Sequence, residues 1–192
     1  MKKIIIALGV VLCLGTPILA SSADRQATSL ANSENTTPPV EDIALESFQE
    51  WAVLAGYGGA NFASRAVSVS EKNDDTLLAF DFYSDSCSSP AIKILGVNPD
   101  PTKWGTEEIS AQIRVDEATI FKLPALYALE GENIIVYLDT DYDATLISEA
   151  KKGGKIRFKL DFGDEAYYGR YSLWGISDAY ARAQAICLQA AN

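Results

Sequence analysis

Apolar and polar residues alternate over several short stretches of this chain, and a period of two predicts β-strands. The pattern is clearest over residues 109–116. Ile109, Ala111, Ile113 and Val115 fall on one face, and Ser110, Gln112, Arg114 and Asp116 on the other. Residues 155–162 repeat it, with Ile156, Phe158, Leu160 and Phe162 inward and Lys155, Arg157, Lys159 and Asp161 outward. Residues 76–83 place Leu78, Phe80 and Phe82 together, and 133–138 is a continuous apolar run suited to a buried strand. Further strands are expected at 48–53, 65–70, 91–97, 118–123 and 167–174. Helical spacing enters late. Leu146, Ile147 and Ala150 share one side of a short helix over 145–152, with Lys151 and Lys152 at its C-terminal end, where the dipole favours cations. Gly153-Gly154 ends it. Ser177 is the expected N-cap of a final helix whose stripe is Ile176, Tyr180, Ala183 and Cys187. The predicted fold is mainly β: an antiparallel β-sandwich or partly open barrel, with the short helix and the C-terminal helix packed at one edge.

Patterning also divides the chain. Lys2 and Lys3 precede an apolar run from Ile4 to Ala20, and Ser21-Ser22-Ala23 supplies small residues at an exit. That order predicts a secretory signal peptide over 1–23. A membrane anchor is the alternative, but Gly15, Thr16 and Pro17 break the run short of a span. Residues 24–46 are rich in Ser, Thr, Asn, Pro and acids, and are expected to form a disordered tether. Residues 47–192 form the expected single β-rich globular domain. The expected location is the periplasm, by Sec export, with release from the cell as the alternative.

Charge and cysteine usage narrow the function. The chain carries 16 basic and 26 acidic residues, a formal net charge of −10. Such a balance repels nucleic acid, so no nucleic-acid partner is expected, and a basic protein is electrostatically the easier one. No membrane span is expected after signal cleavage. Cys13 leaves with the leader. Cys87 and Cys187 remain, an even number in an oxidising space, and are expected to pair. Two separate buried thiols are the alternative. The chain has no histidine. Ser-His-Asp and Cys-His mechanisms are therefore excluded, and no ligand set for structural zinc remains.

The remaining candidate sites are few. Asp139, Asp141 and Asp143 copy the first half of a calcium loop, but the sixth and twelfth positions are Ala144 and Ala150 rather than Gly and Glu. They are carried as metal candidates, against a helix-capping role before Thr145. Arg114 and Asp116, on the wet face of one strand, are a candidate recognition pair or a surface ion pair. Tyr168 and Trp174 fall on one face of their strand and Tyr167 and Tyr171 on the other, so one aromatic face meets solvent. Trp104, in a Pro-rich loop, joins Tyr168 and Trp174 as a binding candidate. Glu107 and Glu108 are adjacent and would face opposite ways in a strand. No catalytic residue, enzyme activity or cofactor is expected.

The C-terminal order carries a resemblance. A strand at Ile113-Arg114-Val115-Asp116 is followed by a helix ending in Lys151-Lys152-Gly153-Gly154 and a basic strand, Lys155-Ile156-Arg157-Phe158. Tyr171-Ser172-Leu173-Trp174-Gly175-Ile176 then leads to a helix ending at Cys187, and Phe48-Gln49-Glu50-Trp51 opens the domain. This order resembles the invasion-associated locus B family of small periplasmic proteins. It is similar also to the periplasmic accessory proteins of type VI secretion, through Cys87, Arg114 with Asp116, and Cys187. The invasion-associated family places a cysteine soon after the opening Trp strand, where this chain has Leu54-Ala55-Gly56. The resemblance implies a non-enzymatic envelope or secretion accessory factor that binds another protein. Inhibition of a cationic cell-wall hydrolase such as lysozyme is an alternative expectation from charge, and a calcium-responsive binder is another from the aspartates.

Overall fold

The computed structural model describes residues 45–56, 61–72, 75–97, 107–130, 133–139 and 143–192. The expected signal peptide, the tether up to residue 44, Trp104 and Asp141 lie outside them. The described residues form ten strands and two helices. The first five strands are β1 (Leu45–Phe48), β2 (Trp51–Ala55), β3 (Phe62–Val69), β4 (Leu77–Tyr83) and β5 (Ala91–Val97). Then come β6 (Glu107–Val115), β7 (Phe121–Glu130), β8 (Asn133–Leu138), α1 (Asp143–Ala150), β9 (Lys155–Asp161), β10 (Ala166–Ser172) and α2 (Ile176–Ala190). All strands join one antiparallel sheet in the order β1-β2-β3-β4-β5-β8-β7-β6-β9-β10. The meander β6–β7–β8 is thus inserted in reverse between β5 and β9.

The sheet is not closed by a ladder. It curls until its last strand meets the other end of the molecule through scattered bonds. Trp51 Nε1 donates to the Ser172 carbonyl at 2.9 Å, and the Glu50 and Glu71 amides donate to the Trp174 and Arg170 carbonyls at 3.2 and 2.8 Å. The inward side chains of both halves fill one core, with Trp51, Phe80, Phe82, Ile113, Phe158 and Tyr171 fully or almost fully buried. The fold class read from periodicity is the fold found: mainly β, antiparallel, open, with two late helices.

Helix α2 lies over β1 to β4. Ile176, Ala179, Tyr180, Ala183 and Cys187 form its buried stripe. Tyr180 meets Phe82 edge-on at 5.0 Å between ring centres. Ser64 Oγ donates to the Ala183 carbonyl at 2.7 Å, and Arg182 grips Glu46 of β1 with Nη2 at 2.6 Å. Cys87 and Cys187 are joined, with Cα atoms 5.6 Å apart, so the helix is tied to the loop after β4. Lys151, just past α1, lies 3.5 Å from the centre of the Tyr180 ring. Burial there pulls its ammonium below the ordinary lysine value.

Several boundaries differ from expectation for local reasons. Residues 48–53 are not one strand. Gln49 has φ 56 and sits in a two-residue turn, so β1 and β2 form a tight hairpin with Phe48 opposite Trp51. Strand β1 includes Leu45 and Glu46, which fall within the stretch expected to be a tether. The strand expected at 118–123 is shifted and longer: β7 starts at Phe121, after a turn over 116–117, and runs through Pro124 to Glu130. The Pro124 carbonyl accepts from Asp139 at the end of the β8 ladder, so the missing N–H falls where pairing stops. Ser177 does not cap α2. Gly175 does, at φ 95, because a Cβ there would collide with the Phe48 carbonyl. The Ser177 hydroxyl instead donates to the Lys151 carbonyl at 2.9 Å.

Candidate functional site

Alternation along β10 sorts its aromatics. Tyr167 and Tyr171 turn inward, where Thr76 Oγ1, Tyr167 OH and Tyr171 OH form a chain at 2.8 and 3.3 Å. Burial, with the Tyr167 hydrogen bond, pushes the Tyr171 phenol far above its ordinary value. Tyr168 turns outward and is 59% exposed; Trp174, just past the strand, is 64% exposed. Both are exposed, but β10 ends at Ser172, so strand alternation places only Tyr168 on the outer face and Trp174 belongs to the turn before α2. At ~3.3 Å per residue, the strand carries the chain ~13 Å from Tyr168 to Ser172 before the turn that holds Trp174.

Tyr168 belongs to a charged face. Register places Arg114 of β6, Arg157 of β9 and Arg170 of β10 side by side across three strands. Glu117, in the turn after β6, is shared by Arg114 at 2.9 Å and Arg157 at 3.1 Å. Glu71 is shared by Arg170 at 2.6 Å and Lys155 at 3.3 Å. Asp116 is not the ion-pair partner of Arg114. It lies past the end of β6 at φ 45, where its Oδ2 accepts the Gly154 amide at 2.9 Å. The expected Arg114–Asp116 pair is thus replaced by an Arg114–Glu117 pair, because β6 ends at Val115 and the chain turns.

A second network escaped sequence reading. Asp81 is fully buried on the outward side of β4. Arg65 reaches it through Nε and Nη2 at 2.5 and 2.7 Å, and Lys93 Nζ at 2.9 Å. Lys93 also donates to Tyr83 OH at 2.8 Å and lies over the Tyr137 ring at 4.8 Å. Burial pulls the Lys93 ammonium down, but its bonds to Tyr83 and Asp81 outweigh this and leave it above its ordinary value. Ala52, Val67 and Ala79 pack beside this network, with Leu54, Leu77 and Leu95 around them. A lone acid inside the apolar strand 77–83, and a lone lysine inside 91–97, were the available signals. Pairing Arg65 directly opposite Asp81 required the β3–β4 register.

The aspartate cluster is only partly in view. Asp139 is exposed after β8, and Asp143 opens α1. Among the described residues, no group of three His, Cys, Asp or Glu is placed to hold a metal ion. Among the same residues, no helix is long and apolar enough to cross a membrane. Comparison with known protein families, curated proteins and solved structures finds no match to this chain.

Proposed function

We propose that this is an exported, non-enzymatic protein of the invasion-associated locus B type, which binds another protein through the outer face of β6, β9 and β10. The observation that carries the binding reading is the exposure of Tyr168 on that face and of Trp174 in the turn just past β10. Large exposed aromatics are enriched where proteins meet, because they bury much area at little entropic cost. The Cys87–Cys187 bridge suits an oxidising compartment. The charged N-terminal start and apolar run suit export to it. The missing histidine and the Arg-centred ion pairs favour recognition over acid–base chemistry.

Cross-linking in cells that express the full chain tests this reading. The expected result is a defined protein captured by the wild type and lost with Tyr168→Ser/Trp174→Ala, while the melting temperature is kept. Hydrolase or transferase activity that survives full purification and dies on one carboxylate substitution would overturn the non-enzymatic reading.

A further inference from the structure

The outer face of β6, β9 and β10 gathers five cationic side chains on a chain whose formal net charge is −10. Lys155, Arg157 and Lys159 project from β9 at every second residue. Arg114 and Arg170 flank Arg157 as its direct neighbours, and Gln112, Lys159 and Tyr168 form the next row. Each of the five cationic side chains is a third or more exposed. Like charges directly opposite each other on a sheet are destabilising. Stability alone would not put three arginines in one cross-strand row on a chain of net charge −10.

The row's own counterions show what it accepts. Glu117, 74% exposed, offers one carboxylate oxygen to Arg114 and the other to Arg157. Two adjacent strands therefore already make a two-arginine clamp on a carboxylate, the geometry guanidinium groups suit. Along β9 the three cations recur every ~6.7 Å, the same-side repeat of any extended chain. The far end of the face reverses sign: Asp161 pairs with Lys159 at 3.6 Å, and Glu108 is exposed on β6. The cationic stretch is therefore short and has a direction.

Resting on the protein-binding reading above, we propose that this face takes an extended acidic segment of a partner protein. Its acidic residues fall at alternate positions and lie along β9 over Lys155, Arg157 and Lys159. The segment's carboxylates displace Glu117 and Glu71 from the arginines, and Tyr168 packs beside it. The negative whole-molecule charge slows approach of such a segment, while the local field orients it.

The test is fluorescence anisotropy on the purified protein at low salt. The probes are a labelled alternating Glu-Ser peptide, an isomer with the same glutamates in one block, and heparin. The alternating peptide is expected to bind several-fold tighter than the block. Arg157→Ala and Lys159→Gln are each expected to weaken it about tenfold, and Glu117→Gln to tighten it, with unchanged melting temperatures. Equal binding of both peptides, indifference to Arg157 and Lys159, or binding of heparin alone would each overturn the proposal. If the peptides fail while cross-linked capture still depends on Tyr168 and Trp174, only this inference falls. If both fail, the protein-binding reading falls with it.

Discussion

Asp81 shows how one residue can set the cost of a face. It is fully buried, yet it neutralises two cations that are themselves mostly covered, Lys93 at 10% and Arg65 at 26% exposure. Removing one member of such a set leaves charge buried without its partner. Asp81→Ala is therefore expected to destabilise the fold by about 3–5 kcal/mol in urea titration. The triple change Arg65→Met/Asp81→Leu/Lys93→Met is expected to recover most of that loss, because it removes the desolvated charges together. The same site gives an alkaline signature. With its folded pKa raised, Lys93 contributes stability that is complete below the ordinary lysine value, about 10.4. That contribution is lost as pH rises through the folded value. Lys93→Met is expected to flatten the alkaline limb of a melting-temperature-against-pH curve and leave the neutral region unchanged in shape. Gly175 is a different kind of residue-scale constraint. Gly175→Ala forces a side chain into left-handed backbone and against the Phe48 carbonyl, and should cost about 2 kcal/mol or more by thermal melts.

At the scale of elements, α2 is held by unlike devices, among them its apolar stripe, the Glu46–Arg182 pair and the Cys87–Cys187 bridge. The ion pair is exposed and contributes little. The bridge spans 100 residues of sequence, and chain entropy puts its contribution at up to roughly 4–5 kcal/mol. Cys87→Ser/Cys187→Ser is expected to lower the urea midpoint accordingly, with α2 losing amide-exchange protection before the sheet does. Most of these elements were legible in the sequence. The strands around Ile113 and Phe158 announce themselves because one face is apolar and the other wet. The stripe of α2 was equally plain from helical spacing. The β1–β2 hairpin was not, because the two-residue turn at Gln49-Glu50 interrupts what reads as one run, Phe48 to Val53. The aromatics of β10 followed their alternation. The arginine row and the Asp81 set did not, since each exists only once β6 lies beside β9 and β3 beside β4. Period-two patterning says which way a side chain points and nothing about which strand stands next to it.

At the scale of the molecule, charge is unevenly shared: a net −10 overall, and a cationic stretch on one outer face. Self-repulsion of the excess acid works against compactness, while the exposed ion pairs offset little of it. Moderate salt is therefore expected to raise the melting temperature by a few degrees, measured by calorimetry, rather than lower it. The strand order has a kinetic cost as well. Pairing β5 with β8 and β6 with β9 joins distant parts of the chain, and such topologies fold slowly. The bridge adds a timing rule of its own. Synthesis runs from the N-terminus, so Cys87 is made 100 residues before the thiol it must meet. Until α2 is made and seated over Trp51 and Phe80, Cys87 is open to alkylation. A polypeptide cut short between Cys87 and Cys187 keeps that reactive sulfur for good. At Cys87, a thiol-reactive dye would thus label copies that end between the two cysteines and pass over the bridged ones.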